Sequence, residues 1–185
     1  METEERRIEV RLKDNRLIVE DQSEIEGLST RGYGVPDNNK LILTPYEGLY
    51  LLSKGIIEVI DDELGERLDF KRLLNLYHSL DESIWVRYLI YRDLRSRGYV
   101  VREGFGLGID FRVYERGSYG KKVASYLVFG ILEGKPVKIE ELNRTLNYAQ
   151  NLKKKLILAV INRRGEVVYY SLSKLTFLKG EEKNG

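Results

Sequence analysis

Hydrophobic and charged residues alternate at the start of the chain, and this two-residue period is typical of β-strands with one buried face. Residues 6–20 show the alternation on both sides of Asp14-Asn15, which predicts two short strands joined by a turn. Residues 23–30 predict a short helix, and the turn-rich residues 31–40 predict a loop. The N-terminal region is therefore expected to begin with a hairpin.

The next segments show helical spacing and helix-end signals. Thr44 followed by Pro45 is typical of a helix start and Gly55 of a helix end, so residues 45–54 are predicted to be helical. Three further elements follow: a strand at 56–60, an acidic loop at 61–66 and an amphipathic helix at 69–77. Ser79 to Glu82 has the form of a capping box, which predicts a longer helix ending near residue 97.

The stretch from Tyr91 to Tyr114 predicts the end of that helix, a glycine stop and two strands joined by a glycine-rich turn. Its second strand, residues 109–114, alternates apolar and polar side chains. Asp110, Arg112 and Tyr114 are therefore expected on one face of the strand. Such a row could be the floor of a nuclease site or an ordinary solvated face, and the pattern alone favours the solvated face.

The residues from Ser79 onward predict a second α+β set. It begins with the helix that ends near residue 97 and the two strands after it. The further elements are a loop at 115–122, a strand at 123–132, a helix at 138–153 and a hairpin of strands 156–161 and 166–172. We therefore predict two domains, residues 1–78 and residues 79–185. The four arginines at positions 87, 92, 95 and 97 of the first helix of this set are predicted to lie on a solvated helix face.

Composition limits the functional classes. The 185 residues contain no cysteine, which excludes disulfides and thiolate metal sites. No apolar run reaches the roughly 18 residues that a membrane span needs, so we expect a soluble, cytoplasmic protein with no membrane partner. Charged residues make up 32% of the chain but nearly cancel to a formal charge of +2. Nucleic-acid binding would therefore need locally clustered basic residues.

Motifs for cofactors are absent, since the chain has neither a phosphate-binding loop nor a dinucleotide fingerprint. No cofactor is therefore expected. The only histidine is His78, which cannot form a His-rich metal site by itself and is expected to be a packing or surface residue.

One pattern resembles the carboxylates and lysine of Mg²⁺ nucleases, namely Asp110 followed by Glu133-Gly134-Lys135. Two carboxylates could hold Mg²⁺ while Lys135 stabilises the attacked phosphate. The segment from Glu133 to Pro136 also has the composition of a turn, where the carboxylate would be solvated. We therefore favour the turn and expect no metal site.

Three consecutive lysines, Lys153 to Lys155, precede an apolar strand. A cluster of cations at a helix C-terminus is favoured by the helix dipole, which is a sufficient structural explanation. The same cations could meet a phosphate. Together with Tyr114 they would supply a base and a transition-state cation for metal-free RNA cleavage, but no general acid.

The C-terminal half resembles the archaeal tRNA-intron splicing endonuclease family. The resemblance covers nearly all of residues 84–178, and it is less distinctive over residues 41–60, which look like the family's small N-terminal domain. It is carried by YRDLRSRGYVVREGFGLGIDFRVY at 91–114, SYLV at 125–128, KKLILAV at 154–160 and VVYY at 167–170. The resemblance implies a nuclease-like α/β/α C-terminal domain with a mixed sheet, similar to restriction endonucleases.

Members of the family cleave precursor tRNA at a bulge–helix–bulge without a metal ion and leave a 2′,3′-cyclic phosphate and a 5′-hydroxyl. The resemblance implies a catalytic tyrosine, histidine and lysine. Tyr114 and Lys154 occupy the first and third positions. The histidine position aligns with Val123, which cannot carry a proton.

A second departure from the family concerns two arginines that hold a bulge base between them in the cleaving subunits. The corresponding positions here are Asn147 and Tyr169. The combined losses fit a structural subunit of a heterotetrameric α₂β₂ enzyme, in which a catalytic paralogue acts on precursor tRNA. The alternative is a self-sufficient nuclease, which either performs the same cleavage with a substitute acid or uses Mg²⁺ at Asp110, Glu133 and Lys135.

Subunit contacts are also implied by the resemblance. In the family an acidic loop of the supporting subunit enters a basic pocket of the cleaving one, and the matching turn here, residues 162–166, carries Arg163 and Arg164 with Glu166 as its one acid. Either the subunits pair through other contacts or another loop serves this role. Residues 167–177 offer an apolar and aromatic strand edge for pairing.

Overall fold

The computed structural model describes residues 7–175. The chain begins with an antiparallel pair of strands, β1 (Ile8–Lys13) and β2 (Arg16–Val19). The two residues between them, Asp14 and Asn15, both have positive φ, with values of 48° and 60°. Two consecutive left-handed residues give the turn a twist that matches the twist of the strands. The predicted N-terminal hairpin is therefore confirmed.

The N-terminal region contains one six-stranded sheet and three helices. The further elements are α1 (Gln22–Thr30), β3 (Val35–Asp37), β4 (Lys40–Leu43), α2 (Pro45–Ser53), β5 (Ile57–Asp61), β6 (Arg67–Leu68) and α3 (Phe70–Leu80). The strand order is β3-β4-β2-β1-β5-β6, and β1 and β5 run parallel while the other neighbours are antiparallel. The predicted helices at 23–30, 45–54 and 69–77 are confirmed as α1, α2 and α3.

The prediction that residues 31–40 form a loop is wrong, because they contain β3. Val35 pairs with Ile42 and Asp37 pairs with Lys40, in a tight hairpin whose turn includes Asn38 at a φ of 54°. The three-residue strand lies at the edge of the sheet, where Pro36 is tolerated because its missing N–H faces no partner strand.

The predicted capping box at residues 79–82 is also wrong. Helix α3 continues to Leu80, and the next helix, α4, spans Ile84–Ser96. Between them the Asp81 carboxylate accepts hydrogen bonds from the backbone N–H and the hydroxyl of Ser83, at 2.8 and 2.6 Å. This local bonding turns the chain and ends α3. Within residues 7–175, no helix combines the length and apolarity that crossing a bilayer requires.

The C-terminal region contains a five-stranded mixed sheet with the order β11-β10-β9-β8-β7. Its elements are β7 (Val100–Gly106), β8 (Ile109–Tyr114), β9 (Tyr126–Leu132), α5 (Ile139–Asn151), β10 (Lys155–Ile161) and β11 (Val167–Leu172). Only β9 and β10 are parallel, and α5 connects them. Helix α4 packs with the core that contains Val128 and Ala159, whereas α5 packs with the core that contains Leu127 and Leu156. The helices thus cover opposite faces of the sheet, which confirms the predicted fold class.

Both sheets share one hydrophobic core. Tyr46 of α2, Tyr91 of α4 and Phe111 of β8 are each at most 1% exposed. The Tyr46 ring lies 4.9 Å from Tyr91 and 5.2 Å from Phe111 between centroids, and the Phe111 contact is edge-to-face. Such contacts add to the free energy gained by burying the rings. This aromatic cluster joins the N-terminal and C-terminal regions.

The predicted boundary after residue 78 falls within α3, two residues before the last residue of that helix. It remains a prediction. The strands of the two sheets occupy separate parts of the sequence. The last strand of the six-stranded sheet ends at Leu68, and the first strand of the five-stranded sheet begins at Val100.

The prediction that the four arginines of α4 lie on a solvated face is wrong for two of them. The Arg95 guanidinium lies 3.9 Å from the Tyr33 ring centroid and donates to the carbonyl of Arg31. The Arg87 guanidinium lies 5.3 Å from the Tyr46 ring, and its side chain is only 22% exposed. Both arginines pack against the N-terminal region, because rings and carbonyls there attract a cation.

A third arginine, Arg102 of β7, also connects the C-terminal region to the N-terminal region. It donates to the carbonyls of Gly32 and Gly34 at 2.9 and 2.7 Å and lies 3.5 Å from the Glu47 carboxylate. Glu47 is 1% exposed and accepts the backbone N–H groups of Gly34 and Thr44. Burial raises the pKa of Glu47, and these donors and Arg102 oppose that change.

We predict that Arg102→Met lowers the free energy of unfolding by about 2–4 kcal/mol, because it removes the donor to two carbonyls and the cation beside a buried carboxylate. Urea denaturation followed by Trp85 fluorescence measures this loss. Arg67→Met is the matched control, since Arg67 is 73% exposed and pairs only with Glu58. It should cost less than about 1 kcal/mol. Equal losses in the two variants would contradict the assigned role of Arg102.

Candidate functional site

The candidate site lies at one end of the C-terminal sheet. Strand β8 is antiparallel to β9, and β9 is parallel to β10, so the end of β8 meets the starts of β9 and β10. Tyr114 is the last residue of β8, Val123 belongs to the loop before β9, and Lys154 directly precedes β10. The structure therefore brings all three predicted positions to the same end of the sheet.

Lys154 connects two loops at this end. Its Nζ donates a hydrogen bond to the carbonyl of Ala124, a residue that is 4% exposed. The backbone N–H of the next residue, Lys155, donates to the carbonyl of Ser125 at 3.4 Å. The Lys154 ammonium thus has a structural partner next to the position that aligns with the family histidine.

Tyr114 is half-buried and packs edge-to-face against Tyr119, with 5.1 Å between the ring centroids. Tyr119 in turn lies against the N-terminal region. A Cβ atom added to Gly32 would be 3.2 Å from the Tyr119 ring and 2.4 Å from Val100. Tyr119 was not predicted from the sequence, because its contacts depend on the conformation of the loop before β9.

An open cavity of about 680 Å³ lies between this loop and the start of β10. Val123 borders it and is 77% exposed, so the position of the family histidine holds an apolar side chain facing solvent. The chain's only histidine, His78, is exposed in the last turn of α3. That helix packs against α2 and α4. No imidazole of this chain therefore lies at the site.

The structure does not bring Asn147 and Tyr169 together. Asn147 is on α5, and its Oδ1 accepts a hydrogen bond from Lys174 at 2.7 Å. Tyr169 projects from the opposite face of the sheet, where its hydroxyl donates to Asp93 of α4 at 2.8 Å. Burial and this hydrogen bond raise the pKa of Tyr169.

The Asp110, Glu133 and Lys135 pattern lies at the other end of the sheet from Tyr114. Asp110 Oδ2 accepts the backbone N–H of Gly130 at 2.7 Å, and Oδ1 lies 3.7 Å from Nε of Arg87. Burial raises the Asp110 pKa, and the N–H and Arg87 oppose that change. Glu133 accepts the N–H of Arg163 in an exposed turn. Across residues 7–175, no three His, Cys, Asp or Glu side chains are grouped to hold a metal ion.

The predicted alternation along β8 is wrong at the start of the strand. Ile109 packs in the core on the α5 side, whereas Phe111 and Val113 pack in the core on the α4 side. Arg87 of α4 lies 5.9 Å from the Phe111 ring and 3.7 Å from the Asp110 carboxylate, so these two neighbouring residues lie on the same side of the strand. The pairing with β7 is irregular at the same place, between Glu103 and Gly106. Asp110 and Tyr114 therefore do not belong to one row of side chains.

The turn between β10 and β11 is held by its own side chains. Asn162 Oδ1 accepts the N–H groups of Arg164 and Glu166, and its amide donates to the Glu166 carboxylate at 2.7 Å. The one acid of the turn is thus bonded within it. Of the predicted edge at 167–177, Thr176 and Phe177 lie outside the described residues.

We predict that Asp110 is a structural residue. Asp110→Asn should lower the free energy of unfolding by about 1–3 kcal/mol, because the charged acceptor for Gly130 and Arg87 is lost. Glu133→Gln is the matched carboxyl-to-amide control and should cost less than about 1 kcal/mol, since Glu133 is exposed. Urea denaturation measures both variants, and an unchanged midpoint for Asp110→Asn would contradict this role.

Comparison with protein families gives two matches that follow each other along the chain. The tRNA intron endonuclease N-terminal domain matches residues 8–74, and the tRNA intron endonuclease catalytic C-terminal domain matches residues 84–169. Tyr114, Val123 and Lys154 fall within the second match.

Individual relatives are similar over most of the chain, and all those described here are named tRNA-splicing endonuclease. The protein of Methanococcus vannielii is 36% identical over 168 residues, which cover 91% of this chain and 94% of the relative. That of Pyrococcus furiosus is 35% identical over 172 residues, covering 92% and 98%. That of Methanococcoides burtonii is 35% identical over 91% of this chain but only 47% of its own length.

Proposed function

Because the chain belongs to the tRNA intron endonuclease family, we propose that it is the structural subunit of a tRNA-splicing endonuclease. A catalytic paralogue supplies the active site, and two copies of each chain form an α₂β₂ tetramer. The tetramer cleaves precursor tRNA at bulge–helix–bulge sites without a metal ion. The products carry a 2′,3′-cyclic phosphate and a 5′-hydroxyl.

One observation carries this proposal. At the end of the sheet that holds Tyr114 and Lys154, the third family position is the exposed Val123, and the chain's only histidine is on α3. Cleavage by general acid–base catalysis needs one group that accepts a proton and one that donates it. Valine can do neither, so the site lacks one of its two proton carriers.

The contacts of the remaining family positions support the same role. The Lys154 ammonium donates to the Ala124 carbonyl, and the side chains of Asn147 and Tyr169 bond to Lys174 and Asp93 on opposite faces of the sheet. A clamp holds one base between two groups, so both groups must reach the same place, and these two side chains lie on opposite faces of the sheet. These residues therefore suit a framework rather than a cleaving centre.

The partner surface that we propose is the outer edge of β11. Within residues 7–175 this strand is the last of its sheet, and no described strand pairs with the outer side of its backbone. Val168 and Tyr170 are 45% and 55% exposed along it. An edge with exposed apolar side chains is typical of a strand that pairs with another subunit.

We predict that the purified chain alone does not cut a bulge–helix–bulge RNA in EDTA. Mixed with its catalytic paralogue it should form a complex with two copies of each chain, measured by native mass spectrometry, and the complex should cut the RNA. Tyr114→Phe in this chain should change the cleavage rate by less than about twofold, because the paralogue supplies the reacting groups. Cleavage by the chain alone, abolished by Tyr114→Phe, would overturn the proposal.

The two self-sufficient alternatives give different results in the same assay. Cleavage by the chain alone in EDTA would indicate the family reaction with a substitute acid. Cleavage that requires Mg²⁺ and is lost in Glu133→Ala would indicate the nuclease built on Asp110, Glu133 and Lys135. Asp110 accepts the Gly130 N–H and forms an ion pair with Arg87, and both contacts favour a structural role over a Mg²⁺ ligand.

A further inference from the structure

The net charge of the whole chain is near zero, but positive and negative charges are unevenly distributed along its length. Residues 111–175 contain thirteen lysines and arginines against five acidic residues, a net charge of +8. Residues 7–110 contain fifteen basic and nineteen acidic residues, a net charge of −4. Charge asymmetry of this kind is typical of proteins with one surface for a polyanion.

Ion pairing divides the chain in the same way. Every ion pair of the described residues joins side chains between Glu9 and Asp110. In the segment from 111 to 175, by contrast, no lysine or arginine is paired with a carboxylate of residues 7–175. Four of its cations donate to carbonyl or amide oxygens instead, namely Arg112, Arg116, Lys154 and Lys174. The described carboxylates therefore do not neutralise the positive charge of this segment.

Four exposed lysines concentrate this charge at the end of the sheet that holds Tyr114 and Lys154. Lys121 and Lys122 are in the loop before β9, and Lys153 and Lys155 flank Lys154. The bond from Lys154 to Ala124 and the pairing of Lys155 with Tyr126 hold these two segments side by side. We call Lys121, Lys122, Lys153 and Lys155 the lysine surface.

Acidic groups offset this surface only slightly. Among the residues lining the 680 Å³ cavity, which include Lys122, Lys153 and Lys155, the single carboxylate is that of Glu115. Its Oε1 accepts a hydrogen bond from the Tyr126 hydroxyl at 3.3 Å. The lysines thus outnumber the carboxylates on this open concave surface.

We propose that the lysine surface binds the phosphate backbone of RNA, so that the chain contacts the substrate although it lacks a complete site. The identity of the polyanion rests on the proposed function. Lysine is a compact point charge on a flexible stem, which suits phosphate contacts that do not depend on sequence. A concave surface bordered by mobile ammonium groups can follow a bent backbone, and it keeps the positive potential high where phosphates approach.

The test compares two triple variants with equal changes in charge. Lys122→Gln, Lys153→Gln and Lys155→Gln alter the lysine surface, whereas Lys13→Gln, Lys54→Gln and Lys71→Gln alter three exposed lysines of the N-terminal region that form no ion pair within residues 7–175. Binding of the full chain to a bulge–helix–bulge RNA is measured in EDTA over a range of salt concentrations. The RNA carries 2′-deoxy residues at both cleavage sites, so it stays intact whatever the activity of the chain.

We expect the lysine-surface variant to bind at least about tenfold more weakly at 0.1 M salt, and the slope of log K against log salt to fall by about 2 to 3. The control variant should bind within about threefold of the unchanged protein. Equal loss in both variants, or no measurable binding by the unchanged protein, would overturn the proposal. So would a poly-glutamate peptide that binds the surface as tightly as RNA, since that result indicates an acidic protein partner.

A failure of this proposal can be distinguished from a failure of the proposed function. Cleavage of the unmodified RNA by the chain alone would refute the structural-subunit role, but the difference between the two triple variants would remain interpretable.

Discussion

The junction between the two sheets is the constraint on which the rest of the structure depends. Two regions of this size have little interior each, and small domains are marginally stable on their own. Here Tyr46, Tyr91 and Phe111 form one interior shared by both. Arg102 then supplies donors to the carbonyls of Gly32 and Gly34, which lie outside the described strands. Apolar burial joins the regions, and the arginine contacts set their orientation.

Much of the fold could be predicted from the sequence, because local signals and tertiary contacts agree. The alternation around Asp14-Asn15 and the Thr44-Pro45 helix start lead to the elements that form. The errors arose where a distant or competing contact decides the outcome. Strand β3 exists because β4 pairs with it, and α3 ends where Asp81 bonds to Ser83 rather than at Ser79.

The candidate site was predicted in part. Resemblance to the family identified Tyr114, Val123 and Lys154, and strand directions place all three at one end of the sheet. The partners of these residues could not be predicted, since the Tyr119 ring and the Ala124 carbonyl reach them only through the folded loop. The charge separation was visible in the sequence, but the whole-chain total concealed it.

The close packing around Gly32 limits which substitutions the two regions of the chain can accept. Its φ of 77° and the absence of room for a Cβ atom, 2.4 Å from Val100 and 3.2 Å from Tyr119, allow only glycine without a shift of neighbouring atoms. Gly32 lies in the segment that matches one domain, while Val100 and Tyr119 lie in the segment that matches the other. The two segments are therefore not interchangeable modules. A chimera with a relative's N-terminal half would keep the fit beneath Tyr119 only if that half also had glycine at this position.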